Sequence, residues 1–495
     1  MEGFLKRWTR RVTQTRVWRS IFRHGYPDND LDRMNTMNTN FFLHLLPAKV
    51  NKHSLKPTYT WGLGIISLYL FIILTITGVL LMFFYVPSVE RAYRDMKDLE
   101  FVVSYGMILR NMHRWAAHGM VALVFLHMVR VFYTGSYKPP REFNWVIGVV
   151  LWVLTLLLSF TGYLLPWDQL AFWAITVGTS IASYPPWIGD TIRFLLLGGN
   201  TVGQGALLRF YVLHVIFLPI AAAILLALHF WRVRKDGGLS RPLPSPLPMA
   251  GGSPPEGPRT LEVFPPDTRK TYGLMMLVRG TSPMVEYQAP EEELLSWPHL
   301  VFRLLLLFQG VSIAMMALAF FFDAPLEELA NPVHPPNPAK APWYFLGLQE
   351  LVSYSALIGG VIVPGLLILG LMSIPYVDYK KEGEGVWFTS LLGKRLTVGF
   401  FFGTLILTPV LTYLNAQFGI RVWFPEAPQF LVDLFNPASI LLAFMAASSL
   451  LTWLLTGSRR MGAISLFSSF VAAYIVYTVM GTYFRGPNWV WVWPW

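Results

Sequence analysis

Nine apolar stretches, each close to the length of a membrane-spanning helix, constrain the fold of this chain more than any other feature. They occupy residues 61–85, 106–133, 144–165, 210–232, 299–322, 355–376, 396–415, 437–456 and 463–484. About 20 residues of helix cross the hydrocarbon core of a bilayer, and a helix satisfies its own backbone hydrogen bonds there. Since 54% of the residues are hydrophobic and only 14% are charged, we predict an all-α polytopic membrane protein with about nine transmembrane helices.

Two histidines lie on the second stretch, His113 and His127, and two on the fourth, His214 and His229. Fourteen or fifteen helical steps advance about 21 Å along the axis. One stretch intervenes, so the two helices run in the same direction and place His113 level with His214 and His127 level with His229. Facing imidazoles in a helix bundle are axial ligands of haem. The pattern predicts two stacked haems in a four-helix bundle.

A single histidine inside a membrane is as readily a structural residue or part of a proton relay as a metal ligand. Four histidines in matched pairs favour the ligand interpretation. His118, which lies between His113 and His127, has no partner at its depth. We therefore interpret His118 as structural or cavity-facing.

Glycines on the first and third stretches repeat the same fourteen-residue interval, at Gly64 and Gly78 and at Gly148 and Gly162. Glycine inside a helix is unfavourable unless another group must approach the backbone closely. Two flat macrocycles stacked at this interval would have that requirement. Ordinary helix packing through small residues is the alternative, but it does not explain the shared interval.

Three arginines flank the histidines of the second stretch: Arg110, Arg114 and Arg130. Haem propionates need guanidinium partners where charge is desolvated. We expect Arg110 and Arg114 to serve the haem at His113, and Arg130 the haem at His127. Extension of these side chains to the lipid headgroups is the alternative.

Basic residues concentrate in alternate loops and set the expected orientation. The N-terminal segment and the loops after the second, fourth, sixth and eighth stretches are basic, which predicts a cytoplasmic N-terminus and a C-terminus on the positive, periplasmic side. The net charge of +11 is therefore attributed to orientation and not to nucleic-acid binding. Residues 4–22 alternate apolar side chains with arginines and predict a basic amphipathic helix on the anionic membrane face, a disordered tail being the alternative.

The absence of cysteine excludes disulfides, iron–sulfur ligation and covalently attached haem within this chain. A Pro/Gly-rich connection follows the fourth stretch and is the one plausible boundary. We divide the chain into a basic N-terminal segment, a four-helix bundle, a connection, a fifth-to-seventh-stretch part, and two further stretches with an aromatic tail, at 1–56, 57–236, 237–298, 299–417 and 418–495.

Several motifs resemble those of one known family. They read LRNMHRW, LHMVRVFYTGSYKPPRE, TGYLLPWDQLAFW, RFYVLH, LHFWRVRK and APWYFLGLQE. With these residues the chain resembles cytochrome b of the quinol–cytochrome c reductases (bc and bf complexes), densely over 57–240 and loosely over 299–415. The interval from His214 to His229 resembles the bf lineage, in which the four-helix part and the next three helices are separate chains.

The resemblance implies a di-haem subunit of a quinol:cytochrome c oxidoreductase that contributes to the proton-motive force. Quinol would be oxidised on the positive side, between the short helix after the third stretch and the loop after the fifth. One electron would pass to a Rieske iron–sulfur protein and the other through both non-covalent b-type haems to a quinone on the negative side. A cytochrome c partner, membrane lipid, a homodimeric complex and a bacterial plasma membrane complete this expectation.

The family pattern places Tyr163, Trp343 and Tyr344 in the reaction at the quinol-oxidation site, where Gly162, Pro166 and Trp167 would bind the quinol. Pro342 stands where the family has a proton-accepting glutamate. Quinol oxidation still needs a base. Glu350 follows Trp343 by seven residues and would share its helical face, so we predict Glu350 as the acceptor, with Asp168 and His334 as rivals.

On the negative side, Gly62 occupies the position where the bf group attaches an additional haem through cysteine. We nominate Arg234 and Asp236 for the quinone site there, although both could be ordinary loop charges. The ninth stretch would bring the C-terminal tail WVWVWPW to the positive side, where it could meet a cytochrome c partner.

Two other functions remain open from the sequence. The chain could be a di-haem membrane anchor of another quinone-linked oxidoreductase, although such anchors have fewer helices and lack the PWY and PWDQ loops. It could also be a transporter with a histidine proton relay, which would bind no haem.

Overall fold

The computed structural model describes residues 2–22, 26–27, 29–40, 43–242 and 293–494. Most of the predicted connection 237–298 lies outside them, since 243–292 are not described. Two helices, α1 (Glu2–Thr13) and α2 (Arg16–Phe22), replace the single helix predicted for 4–22. The break lies at Thr15, whose hydroxyl donates to the Val12 carbonyl oxygen at 2.7 Å and accepts from the Trp18 backbone N–H at 3.2 Å.

The polar region before the first membrane helix contains more regular structure than its sequence indicates. It forms α3 (Asp30–Thr39), β1 (Lys49–Asn51) and α4 (Pro57–Thr60). Strand β1 pairs antiparallel with β2 (Glu293–Leu295). Three residues are too few to show the alternating pattern of a strand in the sequence. These strands form because two segments that are far apart in the sequence pair with each other.

The first part of the chain contains four membrane-spanning helices and three shorter ones between them. In order they are α5 (Leu63–Met82), α6 (Ala92–Phe101), α7 (Gly106–Tyr133), α8 (Glu142–Tyr163), α9 (Gln169–Ala182) and α10 (Gly189–Leu197), followed by α11 (Gln204–Val212) and α12 (Leu218–Lys235). The π-helical turn Leu213–Phe217 joins α11 to α12 in one continuous span.

The second part begins with α13 (Ser296–Phe321) and α14 (Trp343–Tyr354). A second π-helical turn, Ile358–Ile362, precedes α15. The remaining helices are α15 (Val363–Val377), α16 (Leu391–Phe418), α17 (Ile420–Trp423), α18 (Gln429–Phe435), α19 (Pro437–Thr456) and α20 (Arg459–Tyr483). Nine helices in the described ranges are long and apolar enough to cross a membrane. Each predicted stretch overlaps one of them, which confirms the all-α polytopic fold.

Helix α20 is the most enclosed of the nine spans. In the most apolar segment of α20, 61% of the residues are buried, whereas 6–39% are buried in the corresponding segments of the other spans. Helix α20 packs on α14, α16 and α19. It also reaches the histidine-bearing helix α7, because Phe125 packs against Phe470 and Tyr474 with ring centroids 6.4 and 5.1 Å apart. The ninth span therefore belongs to the core of the molecule.

A buried ionic cluster joins the two parts of the chain at the end of the bundle that contains His127. Asp378 accepts a hydrogen bond from the Tyr137 hydroxyl at 2.5 Å and pairs with Lys138 at 3.5 Å and Arg460 at 3.7 Å. Burial lowers the pKa of Lys138, and the attraction between Lys138 and Asp378 partly offsets this shift. From the sequence, Lys138 and Arg460 would be ordinary charged residues of loops. In the fold both lie inside the protein, where each is paired with an opposite charge.

Candidate functional site

His113 and His214 face each other between α7 and the α11–α12 span. Their ring centroids are 6.3 Å apart and their planes are nearly perpendicular, at 81°. Bonds from a metal to imidazole nitrogens are about 2 Å long, so this separation fits one metal atom held between the two rings. The predicted pairing of His113 with His214 is present in the fold.

Two threonines orient these rings. Thr77 Oγ1 lies 2.9 Å from His113 Nδ1, and Thr161 Oγ1 lies 3.1 Å from His214 Nδ1. Each threonine hydroxyl also donates to a backbone carbonyl of its own helix. Its lone pair therefore accepts from the imidazole Nδ1–H, which leaves Nε2 available as a metal ligand.

The glycines next to these threonines allow the imidazoles to approach. A Cβ atom on Gly162 would lie 2.5 Å from His214 Cε1, and one on Gly78 would lie 3.2 Å from His113 Cε1. Contacts under about 3 Å cannot be accommodated without displacement. The His214 imidazole itself therefore requires the glycine on α8, in addition to the requirement expected from a macrocycle, while the His113 imidazole packs closely against Gly78 on α5.

The other histidine pair also lies beside glycines of α5 and α8. A Cβ on Gly64 would lie 2.9 Å from His127 Cε1, and one on Gly148 would lie 3.8 Å from His229 Cε1. His127 and His229 are close enough to interact electrostatically. Both ends of the bundle thus combine two imidazoles with two glycines from the flanking helices.

The unequal histidine intervals on α7 and the α11–α12 span are reconciled by the π-helical turn at His214. In this turn the Leu218 N–H donates to the Leu213 carbonyl oxygen, five residues earlier. Pro219 has no N–H and excludes the regular bond to residue 215. A π-turn accommodates about one extra residue. His229 is therefore oriented relative to His214 as His127 is oriented relative to His113, although the intervals are fifteen and fourteen residues.

The three arginines have different environments. Arg130 donates through Nε to the Tyr59 carbonyl oxygen at 3.0 Å and lies 4.3 Å from the Tyr59 ring centroid, while its buried Nη2 has no hydrogen-bond partner among the described residues. This unsatisfied donor next to His127 fits an anionic group such as a haem propionate. Arg114 stacks on Tyr163 at 5.3 Å and also remains a candidate propionate partner.

Arg110 has several protein partners as well. It forms an ion pair with Glu100 at 2.6 Å and donates to the carbonyl oxygens of Ala324 and Pro325, each at 2.8 Å. These contacts join α6 and α7 to the loop after α13. They give Arg110 a structural role, and because Arg110 also lines the cavity that contains His113, its contact with a haem propionate remains a prediction.

A cavity of about 250 Å³ is lined by both imidazoles of the His113–His214 pair and by Gly78. Its lining includes Gly162, Tyr163, Pro166, Tyr344, Arg114 and His118. Residues nominated from three separate motifs, represented by Arg114, Tyr163 and Tyr344, therefore share one space with the first imidazole pair.

The corner between α8 and α9 forms one wall of this region and is joined to the loop after α13. Asp168 caps α9 by accepting from the Ala171 N–H at 2.8 Å, and its other oxygen accepts from the Glu327 N–H at 3.2 Å. Burial raises the pKa of Asp168, and these two hydrogen bonds oppose that shift. Trp167, at this corner, is buried with a left-handed backbone conformation (φ 53°). The side chain of Asp168 is thus committed to structure, while the other rival acceptor, His334, is exposed.

Glu350 lies on α14 as predicted, but its carboxylate does not line the cavity. It is fully buried and forms a bidentate ion pair with Arg485, with Arg485 Nε 3.0 Å from Oε2. The Trp489 indole and the Tyr354 hydroxyl donate to it at 2.9 and 2.5 Å. Glu350 therefore joins α14 to the segment after α20, and its role as proton acceptor remains a prediction.

At the opposite end, Arg234 and Asp236 also make structural contacts. Arg234 donates to the His44 carbonyl oxygen and to Asn38 Oδ1, the latter at 3.1 Å. Asp236 pairs with Arg232 at 2.9 Å, and burial raises its pKa. Gly62, at the position of the missing cysteine, has a positive φ of 64°, and a Cβ there would lie 3.0 Å from Leu307.

Sequence reasoning missed the orienting threonines. The dipeptide Thr-Gly occurs at residues 77–78 and 161–162, and its recurrence on the two glycine-bearing helices is a signal that could have identified them. Arg485 carried no comparable signal, since its partner Glu350 lies 135 positions away.

Comparisons with known proteins agree with this geometry. The family model "Cytochrome b/b6/petB" matches residues 49–237. A cytochrome b6 from Heliomicrobium gestii is 46% identical over 175 residues, which are 35% of this chain and 82% of the relative. A cytochrome b6 from Porphyra purpurea is 43% identical over 181 residues, which are 37% of this chain and 83% of the relative.

A solved structure described as "Hyperthermophilic respiratory Complex III" is similar over a longer region. It covers 95% of this chain and 98% of its own, with a TM-score of 0.56 and 20% sequence identity. At this identity the similarity concerns the fold alone.

Proposed function

This chain belongs to the cytochrome b/b6 family, and from that premise we propose that it is the di-haem, quinol-oxidising subunit of a quinol:cytochrome c oxidoreductase. Membership, together with the nine apolar helices in the described ranges, makes it an integral membrane protein of electron transfer that carries b-type haem. The number of haems, the substrate and the electron acceptors belong to the proposal.

The observation that carries the proposal is the pair of facing imidazoles at His113 and His214. Their 6.3 Å separation fits one iron, and Thr77 and Thr161 direct both Nε2 atoms toward it. The repetition of the glycine–histidine arrangement at His127 and His229 supports a second haem. When bound, the haems supply one-electron redox chemistry.

The cavity beside His113 supports quinol oxidation at this end of the bundle. A quinol is largely apolar with two hydroxyl groups, and such ligands bind in concave, mainly apolar sites with a few polar groups. Tyr163 and Tyr344 provide aromatic walls with hydroxyl groups, and Pro166 adds an apolar wall. These side chains would hold the quinol ring close to the His113–His214 pair and away from water.

Electron bifurcation follows from this placement as a further part of the proposal. One electron would leave to a Rieske protein that docks at the His113 end. The other would pass to the second haem, about 21 Å further along the helix, and then to a quinone at the His127 end. A cytochrome c partner, a homodimeric complex and a bacterial plasma membrane with a cytoplasmic N-terminus complete the proposal.

A redox-titrated visible spectrum of the purified complex tests the haem content. We expect two b-type components that titrate in separate steps, and a His214→Leu variant should lose one of them while retaining the other. The intact complex should reduce cytochrome c with quinol as donor. A purified chain without any haem absorbance would overturn the proposal.

A further inference from the structure

Helix α20 and the segment after it are attached to α14, the short helix Trp343–Tyr354, at several points. Just before α14, Lys340 Nζ donates to the Thr482 carbonyl oxygen at 2.7 Å. Further along α14, Glu350 pairs with Arg485. The function proposed above uses α14, but it assigns no role to α20, whose sequence contains none of the motifs that led to that function.

Tyr474 of α20 is hydrogen-bonded to the first turn of α14. Its hydroxyl donates to the Tyr344 carbonyl oxygen at 3.0 Å. A backbone carbonyl has two lone pairs, so this bond is possible in addition to the one within the helix. Tyr344 lines the cavity that contains the imidazoles of His113 and His214. Tyr474 is therefore bonded directly to a residue whose side chain the proposed function assigns to the quinol.

The Tyr474 ring also contacts α7, the helix that carries His113 and His127. Its centroid lies 5.1 Å from that of Phe125 on α7. On the other side, a Cβ atom on Gly347 of α14 would lie 3.6 Å from Tyr474 Cδ2. One side chain thus touches α14 and α7 together, and its size determines how closely the two helices approach each other at this level.

The first turn of α14 lies between α7 and α20. From α7, His118 Nδ1 lies 2.9 Å from Trp343 Nε1, and the His118 ring centroid is 5.8 Å from that of Tyr344. Pro342 at the N-cap position makes no side-chain hydrogen bond to this turn. Helix ends fray when their backbone groups lack partners, so the turn depends on its neighbours, of which Tyr474 is one.

We propose that Tyr474 is a positioning residue of the quinol-oxidation site and that it acts through Tyr344. The Tyr474 hydroxyl fixes the first turn of α14, and the Tyr474 ring sets the distance between that turn and α7. The Tyr344 side chain is thereby held in the orientation in which it binds quinol. This inference rests on the proposed function and gives the ninth span a part in it.

Tyr477 provides a matched comparison on the same helix. It lies three residues after Tyr474 and is 4% exposed. Its hydroxyl has no hydrogen-bond partner among the described residues, and its ring faces Tyr354 at 6.5 Å. Removal of the Tyr477 hydroxyl therefore shows what the loss of a buried phenol oxygen from α20 does when no bond to Tyr344 is lost.

Steady-state quinol oxidation by the intact complex, measured against quinol concentration, tests the assignment. Tyr474→Phe removes one oxygen and keeps the ring against Phe125. We expect it to raise the KM for quinol about fivefold and to change kcat by less than about twofold, because a hydrogen bond that positions a binding group acts on ground state and transition state alike. Tyr477→Phe should leave both constants unchanged. Both haem components should remain in the visible spectrum of each variant.

The variant Tyr344→Leu tests whether Tyr474 acts through Tyr344. In that background Tyr474→Phe should raise the KM no further, because the side chain that it positions is already absent. Independent contributions of the two residues would multiply instead. Phe125→Leu removes the ring contact from the side of α7. It should also raise the KM and leave kcat unchanged, so it tests the proposal even if Tyr474→Phe fails to assemble.

Three results would overturn the assignment: an unchanged KM in Tyr474→Phe or in Phe125→Leu, an equal rise in Tyr477→Phe, or a full further rise when Tyr474→Phe is added to Tyr344→Leu. Failure of the proposed function itself would appear differently. In that case the wild-type complex would lack quinol oxidation before any variant is compared.

Discussion

The contact between Glu350 and Arg485 is one of the most heavily buried ion pairs among the described residues. Glu350 is 0% exposed and Arg485 6%. Burial alone lowers the pKa of Arg485, but its hydrogen bonds and attraction to Glu350 more than compensate and raise it. A carboxylate at this depth depends on its partner, since an uncompensated buried charge is strongly unfavourable.

Arg485→Met should therefore destabilise the protein by about 3–5 kcal/mol. The measurement is the unfolding free energy of the detergent-solubilised complex in denaturant. The double variant Arg485→Met with Glu350→Met should recover most of the loss, because it removes both charges together. Arg395→Gln, at an exposed position on α16, serves as the control, and a loss as large in that variant would contradict the argument.

At the scale of helices, the π-turn at His214 keeps two spans in phase despite different sequence intervals. Regular helix turns about 100° per residue, so one extra residue would rotate His229 away from His127. The turn Leu213–Phe217 accommodates that residue immediately before Pro219. A local irregularity is thus required for the regular placement of both imidazole pairs.

Deleting Ile216 together with Pro219→Ala should convert this span to a regular helix with the fourteen-step interval of α7. We expect both haem components to persist in the visible spectrum. Deleting Ala122 from the regular helix α7 provides the matched comparison, because it shortens the interval there without a π-turn to absorb the change. That deletion should remove one component, and an equal loss in both variants would exclude the phase argument.

At the scale of the whole molecule, direct contacts at both ends hold the two parts of the chain together. At the His127 end Arg141 pairs with Glu384 at 2.5 Å, next to the cluster around Asp378. At the His113 end Gln169 N–H donates to the Glu328 carbonyl oxygen at 2.8 Å.

Residues 1–242 and 293–495, expressed as separate chains in the same cell, should therefore associate and retain haem. Copurification through a tag on one chain, followed by a visible spectrum, measures this. Asp378→Asn should weaken the association, because it leaves Lys138 and Arg460 without their shared carboxylate. Failure of the two expressed chains to copurify would show that the connection is required.

The sequence predicted the features that depend on composition and periodicity. The nine spans and the pairing of His113 with His214 follow from apolar length and helical rise. The partner of Glu350 did not follow, because helical spacing shows which residues share a face but not which distant segment covers it. The burial of Arg460 escaped prediction for the same reason, since a basic residue beside a span is indistinguishable from a loop charge until its partners are known.

The long separation between Glu350 and Arg485 has a consequence for the order of biosynthesis. Arg485 leaves the ribosome 135 residues after Glu350, whereas all four histidines have emerged before either. The haem-binding helices can therefore enter the membrane while α14 still lacks the guanidinium that stabilises its buried carboxylate. Completion of the contacts around Glu350 is therefore a late event in synthesis, and it follows the emergence of every helix that carries one of the four paired histidines.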